Sequence, residues 1–108
     1  MVGADRGEAH GELLDAIEAL GRPPALTISQ LVEKAPGLDW LLDLKMRRVV
    51  RKRLEDCSYI FVINPTAPDD GLWAMNKRRQ AIYARSDLDV GQRVDAALAL
   101  RMELNPNR

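Results

Sequence analysis

The stretch Leu26-Thr27-Ile28-Ser29-Gln30-Leu31 marks the start of a helix and sets the order of the elements around it. Thr27 and Gln30 have the spacing of a capping box, in which each side chain accepts a hydrogen bond from the backbone N–H of the other residue. Leu26 and Leu31 occupy the two positions of a hydrophobic staple, which fixes the direction of the chain as it enters the helix. This stretch therefore predicts a short strand-like segment followed by a capped helix.

Further helices are predicted on both sides of this start signal. Apolar residues at helical spacing, together with the breakers Gly21, Pro23-Pro24 and Pro36-Gly37, define them. The predicted helices run from around Glu8 to Glu12 up to Gly21, from Ile28 to about Ala35, and from Asp39 or slightly later to about Asp56. The third of these helices is amphipathic, with an apolar stripe and a strongly cationic outer face.

Beyond Asp56 the apolar spacing shortens to about two residues, which is typical of strands. The strands predicted from this pattern are Tyr59–Ile63, Leu72–Met75 and Gln80–Ala84, with a turn at Asn76–Arg78. Periodicity leaves open whether residues 72–84 form one bent strand or two short ones. A last helix, capped by Asp87 or Asp89, is predicted to run to about Leu104. Helices followed by a hairpin and a closing helix indicate an α+β domain.

The charges of the chain are sorted along its length. The whole chain has 16 Lys+Arg and 16 Asp+Glu, so its formal net charge is 0. Residues 1–44 hold three bases and eight acids (net −5), residues 45–85 ten and four (net +6), and residues 86–108 three and four (net −1). Six of the 16 cations lie between Lys45 and Arg53. A basic block creates a local field that attracts polyanions, so nucleic acid is the first partner to consider.

The element order, the capped second helix and the placement of cations resemble the winged helix-turn-helix family over roughly Leu13 to Ala84. The resemblance implies three helices, a β-hairpin wing and an additional C-terminal helix. It also implies that the third helix enters the DNA major groove while the wing touches the backbone or the minor groove. Carried onto this sequence, it nominates Lys45, Arg47, Arg48, Arg51 and Lys52 on the helix, and Lys77, Arg78 and Arg79 on the wing.

On this interpretation the chain is a small transcriptional regulator of bacterial, phage or mobile-element origin that binds double-stranded DNA. Arginine and lysine on an exposed helix supply phosphate contacts, which give affinity but no sequence readout. Guanine reading needs a bidentate arginine, and Arg47, Arg48 and Arg51 are each suited to it. The sequence leaves open which of the three does so.

The predicted organisation is one winged-helix domain with short additions at its ends. Residues 1–9 are expected to be a flexible arm, residues 10–86 the domain, residues 87–104 the C-terminal helix and residues 105–108 a frayed tail. The apolar residues of the last helix are compatible with packing on the core or with pairing to a second chain. A homodimer through this helix would present two half-sites.

A second, weaker resemblance covers the segment from Gly71-Leu72-Trp73 through Arg78-Arg79 to the last helix. This segment is similar to the strand and helix that approach the zinc site in phage and mobile-element metallopeptidases that cleave repressors. In that family two histidines four residues apart bind zinc and a glutamate activates the zinc-bound water. The corresponding segment here is Val94-Asp95-Ala96-Ala97-Leu98-Ala99-Leu100, which contains no histidine. The resemblance therefore implies at most a relative that lacks the catalytic residues.

Other functional classes find little support in the sequence. It has no glycine-rich phosphate loop, one cysteine and one histidine, so we expect neither an enzyme nor a cofactor or metal. No apolar run reaches the length of a bilayer span and Met1–Arg6 lacks the features of a signal peptide, so we expect no membrane association and a cytoplasmic location. Two alternatives to nucleic acid remain open for the basic block: a solvated helix face, and an interaction module that binds an acidic protein surface.

Overall fold

The computed structural model describes residues 4–75 and 78–104, which form an α+β fold. Its helices are α1 (Ala4–Ala19), α2 (Ile28–Lys34), α3 (Arg47–Asp56) and α4 (Val90–Leu104), with 3-10 segments at Pro36–Leu42 and Leu44–Met46. Its strands are β1 (Ala25–Thr27), β2 (Tyr59–Val62), β3 (Trp73–Met75), β4 (Arg78–Gln80) and β5 (Ile82–Arg85). The predicted α+β class is confirmed. Lys77 and the tail 105–108 lie outside the described residues.

A three-stranded antiparallel sheet with the order β1-β5-β2 forms the centre of the fold. Tyr83 of β5 pairs with Leu26 of β1 and with Phe61 of β2, and these side chains belong to the core beneath α1, α2 and α3. Ile82 and Ala84 point to the other face, where they pack with residues of α4 and β3. The alternation of side chains along each strand therefore produces two apolar cores, one on each face of the sheet.

The capping box predicted at the start of α2 is present. The Thr27 hydroxyl oxygen accepts a hydrogen bond from the Gln30 N–H at 3.2 Å, and the Gln30 side-chain oxygen accepts one from the Thr27 N–H at 3.0 Å. The same reciprocal pattern joins Asp89 and Gln92 at the start of α4, at 3.0 and 2.8 Å. Asp89 is therefore the cap of α4.

Two helix starts differ from those predicted. The third helix begins at Arg47 rather than near Asp39, because Asp43 adopts an extended backbone (φ −74, ψ 120) and its carboxylate accepts the Lys45 N–H at 3.0 Å. A helix cannot continue through that conformation. α1 begins at Ala4, earlier than predicted, and includes most of the residues assigned to an arm. Alanine, glutamate and arginine in this stretch are good helix formers.

Residues 72–85 contain three short strands, so neither one bent strand nor two short ones describes them, and the predicted strand Gln80–Ala84 is divided between β4 and β5. β3 and β4 pair as a separate antiparallel hairpin, and β5 then joins the central sheet. Ser29 at the start of α2 donates a hydrogen bond to the Gln80 side chain at 3.2 Å, which places β4 beside α2. The hairpin is thereby held on the same side of the molecule as the start of the second helix.

A loop closed by a buried asparagine leads into this hairpin. The Asn64 side-chain nitrogen donates to the Leu72 carbonyl at 3.0 Å, and its oxygen accepts from the Thr66 N–H at 3.0 Å. Gly71 has φ +70, and a Cβ at this position would lie 3.0 Å from the Phe61 ring. Only glycine combines this backbone conformation with so close an approach.

Among the described helices, none has the length and hydropathy needed to cross a membrane.

We expect the capping hydroxyl of Thr27 to contribute measurably to stability. Thr27→Ala and Thr27→Ser remove the same methyl group, so the difference between them isolates the hydroxyl. The alanine variant should be less stable than the serine variant by about 0.5–2 kcal/mol, because the Gln30 N–H loses its acceptor. Urea unfolding of both variants measures this difference, and equal midpoints with equal slopes would contradict the capping role.

Candidate functional site

The nominated cations of α3 and the hairpin lie at the surface. The side chains that the structure describes as exposed are Lys45, Arg47, Arg48, Arg51, Lys52, Arg78 and Arg79. α3 turns Val50 and Leu54 into the core, which leaves its other faces for the cations. Lys77, also nominated, is outside the described residues. Seven of the eight nominated cations are therefore accessible to a polyanion. They differ in the side chains that each of them contacts.

Arg51 is engaged with the sheet beneath α3. Its guanidinium carbon lies 4.5 Å from the centroid of the Phe61 ring, within cation–π range. The Phe61 and Tyr83 rings pack at 5.7 Å with a 60° tilt. Burial raises the pKa of the Tyr83 hydroxyl, and the charge and side-chain contact of Arg51 act in the opposite direction. Arg51 therefore attaches the basic helix to β2 and β5.

Two other cations have acidic partners on the surface. The Arg79 Nη2 lies 2.7 and 2.6 Å from the two carboxylate oxygens of Asp70, which belongs to the loop before β3. The Lys52 Nζ lies 3.5 Å from a carboxylate oxygen of Asp56, one turn further along α3. Both pairs are exposed to solvent, which screens them. A polyanion would have to compete with these carboxylates for Arg79 and Lys52.

Four nominated cations remain without such a partner: within residues 4–75 and 78–104, the structure shows no salt bridge for Lys45, Arg47, Arg48 or Arg78. Lys45 precedes α3, and Arg47 and Arg48 form its first turn. This first turn contains no acidic residue. The N-terminus of a helix is the positive end of its dipole, so positive side chains there are repelled. A bound anion would reduce that repulsion.

The cations border two adjoining depressions. One lies along the outer side of α3. It is lined by Glu55 and by five cations, which are Lys45, Arg47, Arg48, Arg51 and Lys52. The other is an apolar groove of about 230 Å³ between α3, the start of α2, the segment before Lys45, and β4. Arg47 lines both, and Arg78 and Arg79 line the groove. The fold therefore brings cations of α3 and of the hairpin to one side of the molecule.

Trp73 and the single cysteine, Cys57, have structural positions in the cores. Trp73 is fully buried and its indole N–H donates to the Val62 carbonyl at 2.8 Å. Cys57 is buried, and burial raises the pKa of its thiol, which disfavours the reactive thiolate. No group of three or more His, Cys, Asp or Glu that could hold a metal ion occurs among the described residues. Asp70, in the loop before β3, pairs with Arg79.

The outer side of α4 carries the residues relevant to the predicted homodimer. Val90, Leu98 and Met102 are exposed, whereas Ala97 and Leu100 are buried against the sheet. The helix thus packs on the domain through one side and leaves apolar side chains on the other. A homodimer through this surface stays a prediction, and sedimentation at concentrations well above micromolar is its direct measurement.

Comparisons of the chain with known protein families, with curated proteins and with solved structures find no match. The basis for a functional inference is therefore the geometry of α3 and the hairpin. Its main features are the four cations that have no salt bridge among the described residues, the contact of Arg51 with the sheet, and the adjoining groove.

The pKa of Tyr83 provides a test of the contact between α3 and the sheet. The chain has two tyrosines, so in Tyr59→Phe the phenolate absorbance reports Tyr83 alone. We expect it to titrate above the ordinary value of about 10, and Arg51→Gln to raise the pKa further because a positive neighbour is lost. Because the folded-state pKa is raised, the associated stability is present below about pH 10 and declines as the pH rises through the folded-state pKa.

Arg48→Gln is the matched control for this titration, since Arg48 lies on the same helix and does not contribute to the Tyr83 shift. It should leave the titration unchanged. Tyr83 titrating at or below about 10 in the folded Tyr59→Phe variant would be incompatible with its buried position.

Proposed function

We propose that this chain is a winged helix-turn-helix DNA-binding protein that acts as a small transcriptional regulator. The single observation that carries the proposal is the set of exposed cations at the start of α3 and on β4 that form no salt bridge with any residue the structure describes. The element order supports the same family: α1, β1, α2 and α3 are followed by a strand and a hairpin. In this arrangement α3 is the recognition helix and the β3–β4 hairpin is the wing.

The late start of α3 favours this role. Recognition helices contact base edges mainly through their N-terminal residues. Because α3 begins at Arg47, Arg47 and Arg48 occupy its first turn. A helix beginning near Asp39 would have placed both arginines more than one turn inside the helix. The positive end of the helix and the absence of an acid in its first turn further favour phosphate binding there.

The contacts of the individual cations suggest a division of roles. Arg51 contributes to the attachment of α3, and Lys52 and Arg79 are partly neutralised by Asp56 and Asp70. Lys45, Arg47, Arg48 and Arg78 are the residues from which we expect most of the binding. Lysine is a point charge suited to phosphate, whereas arginine can also contact guanine through two parallel hydrogen bonds.

Binding to a random-sequence DNA duplex should be measurable at low salt and should weaken linearly on a logarithmic salt scale. Each phosphate contact contributes a slope of about −0.9 for duplex DNA. Lys45→Ala and Arg48→Ala should each weaken binding, and loss of a phosphate contact should reduce the slope by about 1. Fluorescence anisotropy of a labelled duplex, titrated at several salt concentrations, provides both quantities.

Arg101→Ala is the matched control for the salt titration. Arg101 belongs to α4, which packs on the opposite face of the sheet from α3, so its loss should leave the slope unchanged. The DNA-binding proposal fails if folded protein does not bind duplex at low salt, or if Lys45→Ala and Arg48→Ala bind as the native chain does. Retained binding to an acidic protein surface alone would favour the interaction-module alternative.

Arg48 should contribute to sequence preference, whereas Lys45 should contribute mainly to affinity. We expect selection of bound sequences from a random pool to give a preferred site. Arg48→Ala should lose about 1–3 kcal/mol of discrimination at one guanine of that site. Lys45→Ala should weaken preferred and random sequences by similar factors. Identical preference profiles for Arg48→Ala and the native chain would assign Arg48 to phosphate contact only.

A further inference from the structure

The groove beside α3 has a lining that phosphate contact does not require. Leu41 and Val50 form part of its floor at 4% and 3% exposure, and Leu42 stands at its side with 54% of its surface exposed. A phosphate backbone is bound by cations and N–H donors, and gains little from an apolar floor. An apolar concave surface with a few convergent polar groups is instead characteristic of small-molecule sites.

Three cations and one acid line this groove. Arg47 lines it from α3 and Arg78 lines it from β4, and neither forms a salt bridge within the described part of the chain. The third cation, Arg79, pairs with Asp70, and the acid is Asp43, whose carboxylate accepts the Lys45 N–H at 3.0 Å, so cations outnumber acids in the lining. The charge that complements the groove is therefore negative. Planar guanidinium groups favour carboxylates or sulfonates, which they can bind through two parallel hydrogen bonds.

The volume of the groove limits the part of a ligand that it can enclose. Drug-sized pockets have volumes of about 300–1,000 Å³, and the groove, at about 230 Å³, is slightly smaller. It is therefore suited to a ligand with a fused two-ring body and a single anionic group, and because the groove is open to solvent, a substituent on that body can remain outside it.

We propose that this groove is a binding site for a small apolar anion, and that the ligand competes with DNA for Arg47 and Arg78. The apolar body lies against Leu41, Leu42 and Val50, while the anionic group binds the two arginines. The competition rests on the proposed DNA-binding function, whereas the ligand site does not. A regulator of this kind would release DNA when the ligand accumulates.

Anilinonaphthalene sulfonate is a suitable probe because it combines fused aromatic rings with one anion and its fluorescence increases in apolar surroundings. Titration of the full chain should give saturable binding of one probe per chain. Phenylnaphthylamine, which lacks the sulfonate, should bind about tenfold more weakly or worse. The double variant Arg47→Gln/Arg78→Gln and the single variant Leu42→Gln should each weaken binding of the sulfonate by a similar factor.

Two matched variants test the location of the probe. Leu98→Gln changes an exposed leucine on α4 and Arg48→Gln changes an arginine of the outer α3 depression; both should bind the probe as the native chain does. Far-UV circular dichroism and thermal unfolding verify that every variant is folded. The site is refuted if the sulfonate does not saturate, if phenylnaphthylamine binds equally, or if the groove variants retain full affinity.

A second experiment adds the probe to the protein–DNA complex. Competition predicts that DNA affinity falls as the probe saturates the groove, and that DNA in turn releases the probe. Unchanged DNA affinity at saturating probe refutes the competition while leaving the site established by direct titration. If the native chain binds no DNA, the proposed function fails, and the direct titration still decides the ligand site.

Discussion

The register of β5 is the constraint on which the rest of the structure depends. β5 pairs along both edges, and each of its three buried side chains belongs to one of two cores. Ile82 and Ala84 face the core beneath α4, and Tyr83 faces the core beneath the other helices. A shift by one residue would exchange these faces. Since Tyr83 contacts Phe61 and lies next to Arg51, the same register determines where the basic helix α3 rests.

The cations of α3 differ in their structural surroundings. Arg51 stabilises the packing of the helix through its contact with the Phe61 ring, and Lys52 lies near Asp56. Arg47 and Arg48 instead stand in the first turn, where the helix dipole disfavours positive charge. Local preferences that disagree with the surrounding structure in this way are expected at functional sites. An anion bound at the helix start, as proposed for DNA phosphate, would remove this disagreement.

The sequence was most informative where interactions are local. The capping boxes at Thr27 and Asp89 involve residues three positions apart, so they are visible in the sequence and present in the structure. The start of α3 was predicted too early because the 3-10 segments continue the apolar spacing that a helix would have, and only the backbone at Asp43 interrupts it. The pairing of Arg79 with Asp70 and the groove lined by Arg47 and Arg78 depend on how separate elements pack, which periodicity does not encode.

Arg47 occupies a special position because it borders both the outer side of α3 and the apolar groove. Its substitution alone would therefore not distinguish DNA contact from ligand contact. The neighbouring residues do: Arg48 lines only the outer depression, whereas Leu42 lines only the groove. An anion bound to Arg47 neutralises its charge, so a second anion at the same residue is attracted less strongly and is repelled by the first. The proposed competition therefore requires no change in the fold, because one arginine borders both adjoining surfaces.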